Sequence, residues 1–176
     1  MFHWDGNLIH PKLFTFLLKN PYLKNLSLNA CVSLESATDA MASVALFIQS
    51  SKSLVNLSVR GDRTNFIGNN LETLFTYIPE SETLETLDLT YSKCGDAGLN
   101  QITTFLTKCT SLKTLIIDGM RPKTVAPLFN RAKRAYGIRN QIKLSYPYND
   151  IEKLVSERVL SRKGQNELKH FFEIDE

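Results

Sequence analysis

The chain has 176 residues, of which 43% are hydrophobic and 22% charged, and a net charge of +3. That length and apolar share suffice for one domain with a sizeable core, and no stretch approaches the roughly 18 uninterrupted apolar residues of a membrane span. The three cysteines, Cys31, Cys94 and Cys109, are odd in number and have no paired spacing. This argues against a disulfide framework and for a reducing, cytoplasmic setting in which they act as small buried apolar groups.

In chain order, Phe2, Trp4, Asp5 and Asn7 overlay Leu26, Leu28, Asn29 and Cys31 position for position, so the chain is expected to open inside a strand. Asp5, Asn7, His10 and Lys12 interrupt any apolar run that could serve as a signal peptide. Leu13, Phe14 and Leu17 then carry helical spacing. The phrase Leu-x-x-Leu-x-Leu follows at Leu23, Leu26 and Leu28, and returns as Leu54, Leu57 and Val59, as Leu84, Leu87 and Leu89, and as Leu112, Leu115 and Ile117. The middle leucines, Leu26, Leu57, Leu87 and Leu115, mark a period that shortens slightly along the chain, and a weaker copy, Ile142 to Leu144, follows with Ile142 as its marker. Helical patterns separate the copies: Ala37, Met41, Val44 and Ile48; Leu71, Leu74, Phe75 and Ile78; Leu99, Ile102, Phe105 and Leu106, with Asp96 as cap; and Val125, Leu128, Phe129 and Ala132. Self-similarity at a period of this size is the mark of a solenoid, in which each unit buries its apolar face against its neighbours.

One strand and one helix in each such period resembles the ribonuclease-inhibitor-like class of leucine-rich repeats, and residues 84–112, with Gly95, Gly98, Leu99 and Phe105 in order, carry the likeness best. The resemblance implies an α/β leucine-rich repeat solenoid with parallel β-strands on the concave face and α-helices on the convex face. The class places Asn or Cys three positions beyond the last strand leucine; here Cys31 meets that pattern, whereas Asp62, Ser92 and Met120 replace it. Residues 1–146 are assigned to about five strand-helix units, the first incomplete, and the lack of a polar capping unit before it leads us to expect either a piece of a longer array, the favoured reading, or a short chain whose end a partner covers. Residues 147–176 are assigned to a helical C-terminal cap without a further strand: Ile151, Leu154, Val155 and Val159 form one apolar stripe after Asp150, and Leu168, Phe171 and Phe172 a second after Gly164. The segment Trp4-Asp-Gly-Asn7 is also similar to a Trp-Asp-x-Asn turn in late repeats of CARMIL-type actin regulators, which would imply a cytoskeletal role.

No catalytic constellation emerges. His3, His10 and His170 share no metal-binding spacing with Cys, Asp or Glu, no Gly-rich phosphate loop or Gly-x-Ser-x-Gly elbow occurs, and no nucleophile has a base beside it in the pattern. The expected protein is therefore not an enzyme and calls for no cofactor and no metal. Two Asn-x-Ser triplets, at Asn25 and Asn56, fall within strands and read as repeat consensus rather than glycosylation sites.

Two binding surfaces remain. If the strand leucines point inward, period-two alternation turns Asn25, Ser27 and Asn29, Asn56, Ser58 and Arg60, Thr86, Asp88 and Thr90, and Thr114, Ile116 and Asp118 onto the concave face. Asn29, Ser58, Arg60, Thr86, Asp88, Thr90, Ile116 and Asp118 are the candidate contacts for a protein partner, with Arg60 and Asp88 readable either as a lateral ion pair or as ligand contacts. The alternative surface lies in residues 121–163, which hold 11 basic and 3 acidic residues, a net +8. Arg121, Lys123, Arg131, Lys133, Arg134 and Arg139 could there attract an acidic phospholipid or a nucleic acid, or simply solvate a helix face.

Overall fold

In the computed structural model, the described residues are 1–33, 35–62, 64–68, 70–78, 81–92, 101–102, 110–117, 143–145 and 172–173. Their strands form one parallel sheet in sequence order: β1 (Phe2–His3), β2 (Asn25–Ser27), β3 (Asn56–Ser58), β4 (Thr86–Leu89), β5 (Thr114–Ile117), β6 (Lys143–Ser145) and β7 (Phe172–Glu173). Helices α1 (Pro11–Leu17), α2 (Ala37–Ser50) and α3 (Leu71–Tyr77) fill the first three crossovers in turn, where they overlap the expected helical patterns. No helix among the described residues is long and apolar enough to cross a membrane.

The pairing sets the repeated leucines side by side. Leu26 faces Leu57, Leu57 faces Leu87, and Leu87 faces Leu115, with Phe2 in the preceding rung and Leu144 in the following one. A one-residue slip in any pair would turn apolar side chains to solvent, so burial itself pins the register. One expectation is corrected. The sequence pattern takes Ile142 as the marker that follows Leu115, but the ladder places Leu144 opposite Leu115. Ile142 and Leu144 have the same parity along a strand, so alternation alone cannot choose between them, whereas ladder hydrogen bonds can. A second correction concerns the C-terminal region: Phe172–Glu173 pairs with β6 as a seventh strand, in a stretch expected to hold only helices. Leu168, Phe171 and the helices expected between 147 and 171 lie outside the described residues, as do Asp96, Leu99, Phe105, Met120 and the helix expected around Val125.

The core lies between the sheet and the helices. Leu28, Leu54, Leu57, Leu84, Leu87 and Leu115 are almost wholly buried, together with Leu13, Phe14 and Leu17 of α1, Met41, Val44 and Ile48 of α2, and Leu71, Leu74 and Phe75 of α3. Each buried leucine contributes about 1.5–3 kcal/mol. Phe14 stacks on Phe47 with ring centroids 5.2 Å apart, which ties α1 to α2, and the Thr38 hydroxyl donates to Asn70 Oδ1 at 3.0 Å between α2 and the start of α3. Ile102, at 0% exposure, belongs to the same cluster.

Repeated polar contacts set the turns at both ends of the strands. Before each strand, one carbonyl accepts two amides of the next unit: Lys24 O from Val55 and Asn56, Val55 O from Glu85 and Thr86, and Glu85 O from Lys113 and Thr114. The buried hydroxyls of Ser51 and Ser81 close the turn that feeds the strand by accepting from Leu54 N and Leu84 N, each at 3.2 Å. Beyond the strands, Gly6, Ala30 and Tyr91 occupy one repeat position and share left-handed backbone, with φ of 72°, 55° and 58°. Gly61 occupies that position in the intervening unit without a left-handed φ, and a Cβ there would lie on the Tyr91 carbonyl oxygen and 2.9 Å from Phe66 Cβ.

Candidate binding groove on the sheet

The leucines turn inward, so the alternate side chains line the opposite face of the sheet. They form rows across the strands: Asn25, Asn56, Thr86 and Thr114; Ser27, Ser58, Asp88 and Ile116; and Asn29, Arg60 and Thr90, one step beyond the paired residues. All but Thr90 and Thr114 border an open groove of about 400 Å³ that runs from Met1 and His3 to Ile116. This brings Asn29, Ser58, Arg60, Thr86, Asp88, Thr90 and Ile116 together on one face. Asp118 lies outside the described residues, and so do Arg121, Lys123, Arg131, Lys133, Arg134 and Arg139.

The groove floor is a lateral hydrogen-bond network. Asp5 Oδ1 accepts from the Ser27 hydroxyl at 2.6 Å and from Asn29 N at 2.8 Å. One unit later Asn29 Oδ1 plays the same part, accepting from the Ser58 hydroxyl at 2.7 Å and from Arg60 N at 2.9 Å. Asn56 Nδ2 donates to Asn25 Oδ1 at 2.6 Å in the row below. Arg60, a cation with donors only, cannot repeat the role of Asp5 and Asn29 toward the next strand. Asp88 does it instead from within that strand: its Oδ1 accepts from Thr90 N at 3.0 Å and from the Thr90 hydroxyl at 2.6 Å. Its Oδ2 accepts from Arg60 Nε at 2.6 Å.

These contacts divide the expected site residues into two kinds. The Asp88 side chain is only 7% exposed and both its oxygens are engaged, so it positions neighbours rather than meeting a partner. The Arg60 side chain is 53% exposed and stands over the groove. Thr86 and Ile116 are half-buried and border it. His3 and Asp5, at the N-terminal end of the same face, join this set although the repeats alone do not single them out. The overlay of Phe2 and Trp4 on Leu26 and Leu28 already set Asp5 opposite Asn29, so the signal was present. His3 Nδ1 lies 3.5 Å from Asp5 Oδ2.

Titration behaviour follows from these partners. Burial pushes the Asp5 carboxyl upward, but the Ser27 hydroxyl, the Asn29 amide and His3 outweigh it and hold the group below the usual carboxylate range. Asp62 accepts from Asn65 N at 2.6 Å and Thr64 N at 2.7 Å, and these amides lower it from 3.8 to about 2. It thus caps its own exposed turn, unlike Cys31 at the matching repeat position, whose buried Sγ donates to Trp4 O at 3.1 Å. Burial raises the Cys31 thiol despite the Asn7 and Gly6 amides. At the same position Ser92 donates to Leu89 O at 2.5 Å. Trp4 packs partly against the core and stacks on Phe2 at 6.4 Å, while Asn7 Nδ2 donates to the carbonyls of Trp4 and Asp5 and shapes the turn between them.

The groove offers amides, hydroxyls and one guanidinium at fixed positions, a set suited to holding a polar chain. Among the described residues no group of three His, Cys, Asp or Glu is placed to hold a metal ion.

Comparison with known proteins gives one kind of likeness. No protein-family model matches the chain, and no curated protein matches it in sequence. Among solved structures, one titled leiomodin-1 actin-binding site 2 is similar, with a TM-score of 0.59 over 90% of this chain and 94% of that chain, at 13% sequence identity. The two share a fold. The chain is an α/β protein with a parallel sheet in sequence order.

Proposed function

We propose that this chain is a non-catalytic protein-protein interaction module, built as a leucine-rich repeat solenoid of the ribonuclease-inhibitor-like class, which serves in the cytoplasm as a scaffold or regulatory unit. The observation that carries the reading is the polar face of the sheet: successive strands in register present short hydrogen-bonding side chains over a groove of about 400 Å³. Repeat architectures bury their apolar residues within the stack and leave extended surfaces of this kind for partners. The similar fold titled as an actin-binding site of leiomodin-1 makes actin the first partner to assay, and the Trp4-Asp-Gly-Asn7 likeness to CARMIL-type actin regulators points the same way.

A photo-crosslinking residue placed at Thr86, in the groove, and separately at Leu46, exposed on α2, tests this reading with purified filamentous and monomeric actin. Crosslinking from Thr86 but not from Leu46 is the expected result. Crosslinking from Leu46 alone would move the interface to the helices, and none from either position would remove actin as the partner.

A second reading rests on the net +8 of residues 121–163. That segment would bind acidic phospholipid or nucleic acid, with an affinity that collapses as salt rises. Sedimentation with phosphatidylserine vesicles at low and high salt tests it.

A further inference from the structure

We infer that Arg60 is the anchor of the groove and that it selects an acidic side chain, aspartate or glutamate, on an extended protein segment with an aliphatic residue two positions from it. The inference rests on the protein-binding reading of this face and adds the chemistry of the partner.

Arg60 is held at both its backbone and its head group. A free arginine on a surface has four rotatable bonds to freeze before it can present its planar edge. Here Nε donates to Asp88 Oδ2 at 2.6 Å, and Asp88 is itself buried and locked by two bonds from Thr90. Asn29 Oδ1 fixes the Arg60 backbone amide at 2.9 Å. The head group is therefore fastened at one donor, and among the described residues its four Nη hydrogens have no acceptor, while the side chain remains 53% exposed. An Nη edge presented in this way matches the two oxygens of a carboxylate.

The ion pair also explains why the groove should read charge at this one point. Asp88 offsets the formal charge of Arg60, so this pair by itself exerts little long-range pull, and discrimination at Arg60 has to come from contact. That disfavours nucleic acid, as does the absence of an aromatic stacking platform among the described residues that line the groove. Ile116 faces Asp88 across one strand step, about 4.8 Å away. An extended segment laid across the strands advances about 3.3 Å per residue and turns alternate side chains to the same face, which places an aliphatic side chain on Ile116 two residues from the acid on Arg60.

Fluorescence polarisation with labelled seven-residue peptides tests this on the full chain. The peptides carry Asp, Glu, Asn or Gln at the centre and Leu two positions on. The acidic peptides should bind roughly 10- to 100-fold more tightly than their amide counterparts. Arg60→Gln should remove that preference and leave the residual affinity for the neutral peptides, and Arg60→Lys should keep only part of it, because an ammonium lacks the planar edge. The inference is overturned if the wild-type chain does not discriminate, if discrimination survives Arg60→Gln, or if a single-stranded oligonucleotide displaces the peptides through Arg60. Thr86→Trp, which puts a bulky ring into the groove while keeping Arg60 and Asp88 in the chain, separates the two levels of the reading. Loss of all peptide binding in Thr86→Trp with discrimination intact in Arg60→Gln would keep the groove and discard the anchor. Unchanged binding in Thr86→Trp would discard the groove. Unaltered circular dichroism of each variant confirms that folding is not the cause.

Discussion

Gly61 is the residue whose smallest change should report most directly on how tightly successive units are stacked. Its amide donates to Thr90 O at 2.8 Å in the next unit. A Cβ there would fall on the backbone carbonyl oxygen of Tyr91 and press on Phe66 Cβ at 2.9 Å. The obstacle is backbone, so no side-chain rotation relieves it. Nonbonded carbon contacts settle near about 3.5–4.0 Å, which requires the 61 and 91 segments to part by about 1 Å or more and stretches the Gly61–Thr90 bond beyond hydrogen-bond range. Overpacking of this kind costs about 1–3 kcal/mol and the lost bond about 1 kcal/mol more. We expect Gly61→Ala to destabilise the chain by about 2–4 kcal/mol, or a fall of roughly 5–15 °C in Tm at about 2–4 °C per kcal/mol for a chain of this size. Gly6→Ala is the control: nothing lies within 4 Å of a Cβ there, and the cost comes only from its φ of 72°, about 1–2 kcal/mol. Thermal unfolding followed by circular dichroism measures both. A Gly61→Ala chain within about 0.5 kcal/mol of the parent, the range of ordinary surface substitutions, would refute the close approach of the two units.

Other consequences are as direct. Ser51→Ala and Ser81→Ala remove the same acceptor from equivalent turns in neighbouring units, leaving the amides of Leu54 and Leu84 unpaired; each should cost about 1–2 kcal/mol in urea unfolding, and a large difference between the two would argue against their equivalence. Asp62 titrates at about 2 when folded, against an ordinary 3.8, so its contribution to stability is complete above the ordinary value and disappears as pH falls toward 2. In NMR titrations the amide signals of Thr64 and Asn65 should follow that low midpoint, and a midpoint near the ordinary carboxylate value would contradict the capped turn. Burial of Cys31 and its raised thiol predict slow labelling by a disulfide reagent at mildly alkaline pH in a Cys94→Ser, Cys109→Ser chain, and rapid labelling after unfolding in urea. Fast labelling of the folded chain would place Cys31 at the surface.

Much of the fold could be read from residue order alone, because burial leaves a mark in composition. Leu26, Leu57, Leu87 and Leu115 must be hidden, and the spacing between them leaves room for one strand and one helix. Alternation then determines which side chains face the groove, so Asn29, Ser58, Arg60, Thr86 and Ile116 could be named without coordinates. Even the overlay of Phe2 and Trp4 on the first repeat followed from spacing, and with it the place of Asp5.

What spacing could not decide was anything that depends on which group meets which across the rungs. Ile142 and Leu144 are equivalent to a pattern of period two, and the hydrogen-bond ladder separated them. Phe172 carries no repeat signature, and its place beside β6 rests on pairing with a strand already formed. Asp88 looks like any surface acid in the sequence. It becomes a buried bracket only because Thr90 turns back on it while Arg60 reaches over from the neighbouring strand. The same packing makes Gly61 indispensable at a position where Ala30 and Tyr91 are tolerated. Periodicity reports the free energy of burial, which is a property of one residue type at a time. Hydrogen-bond partners and close backbone approaches are properties of pairs, and they exist only once the strands lie side by side.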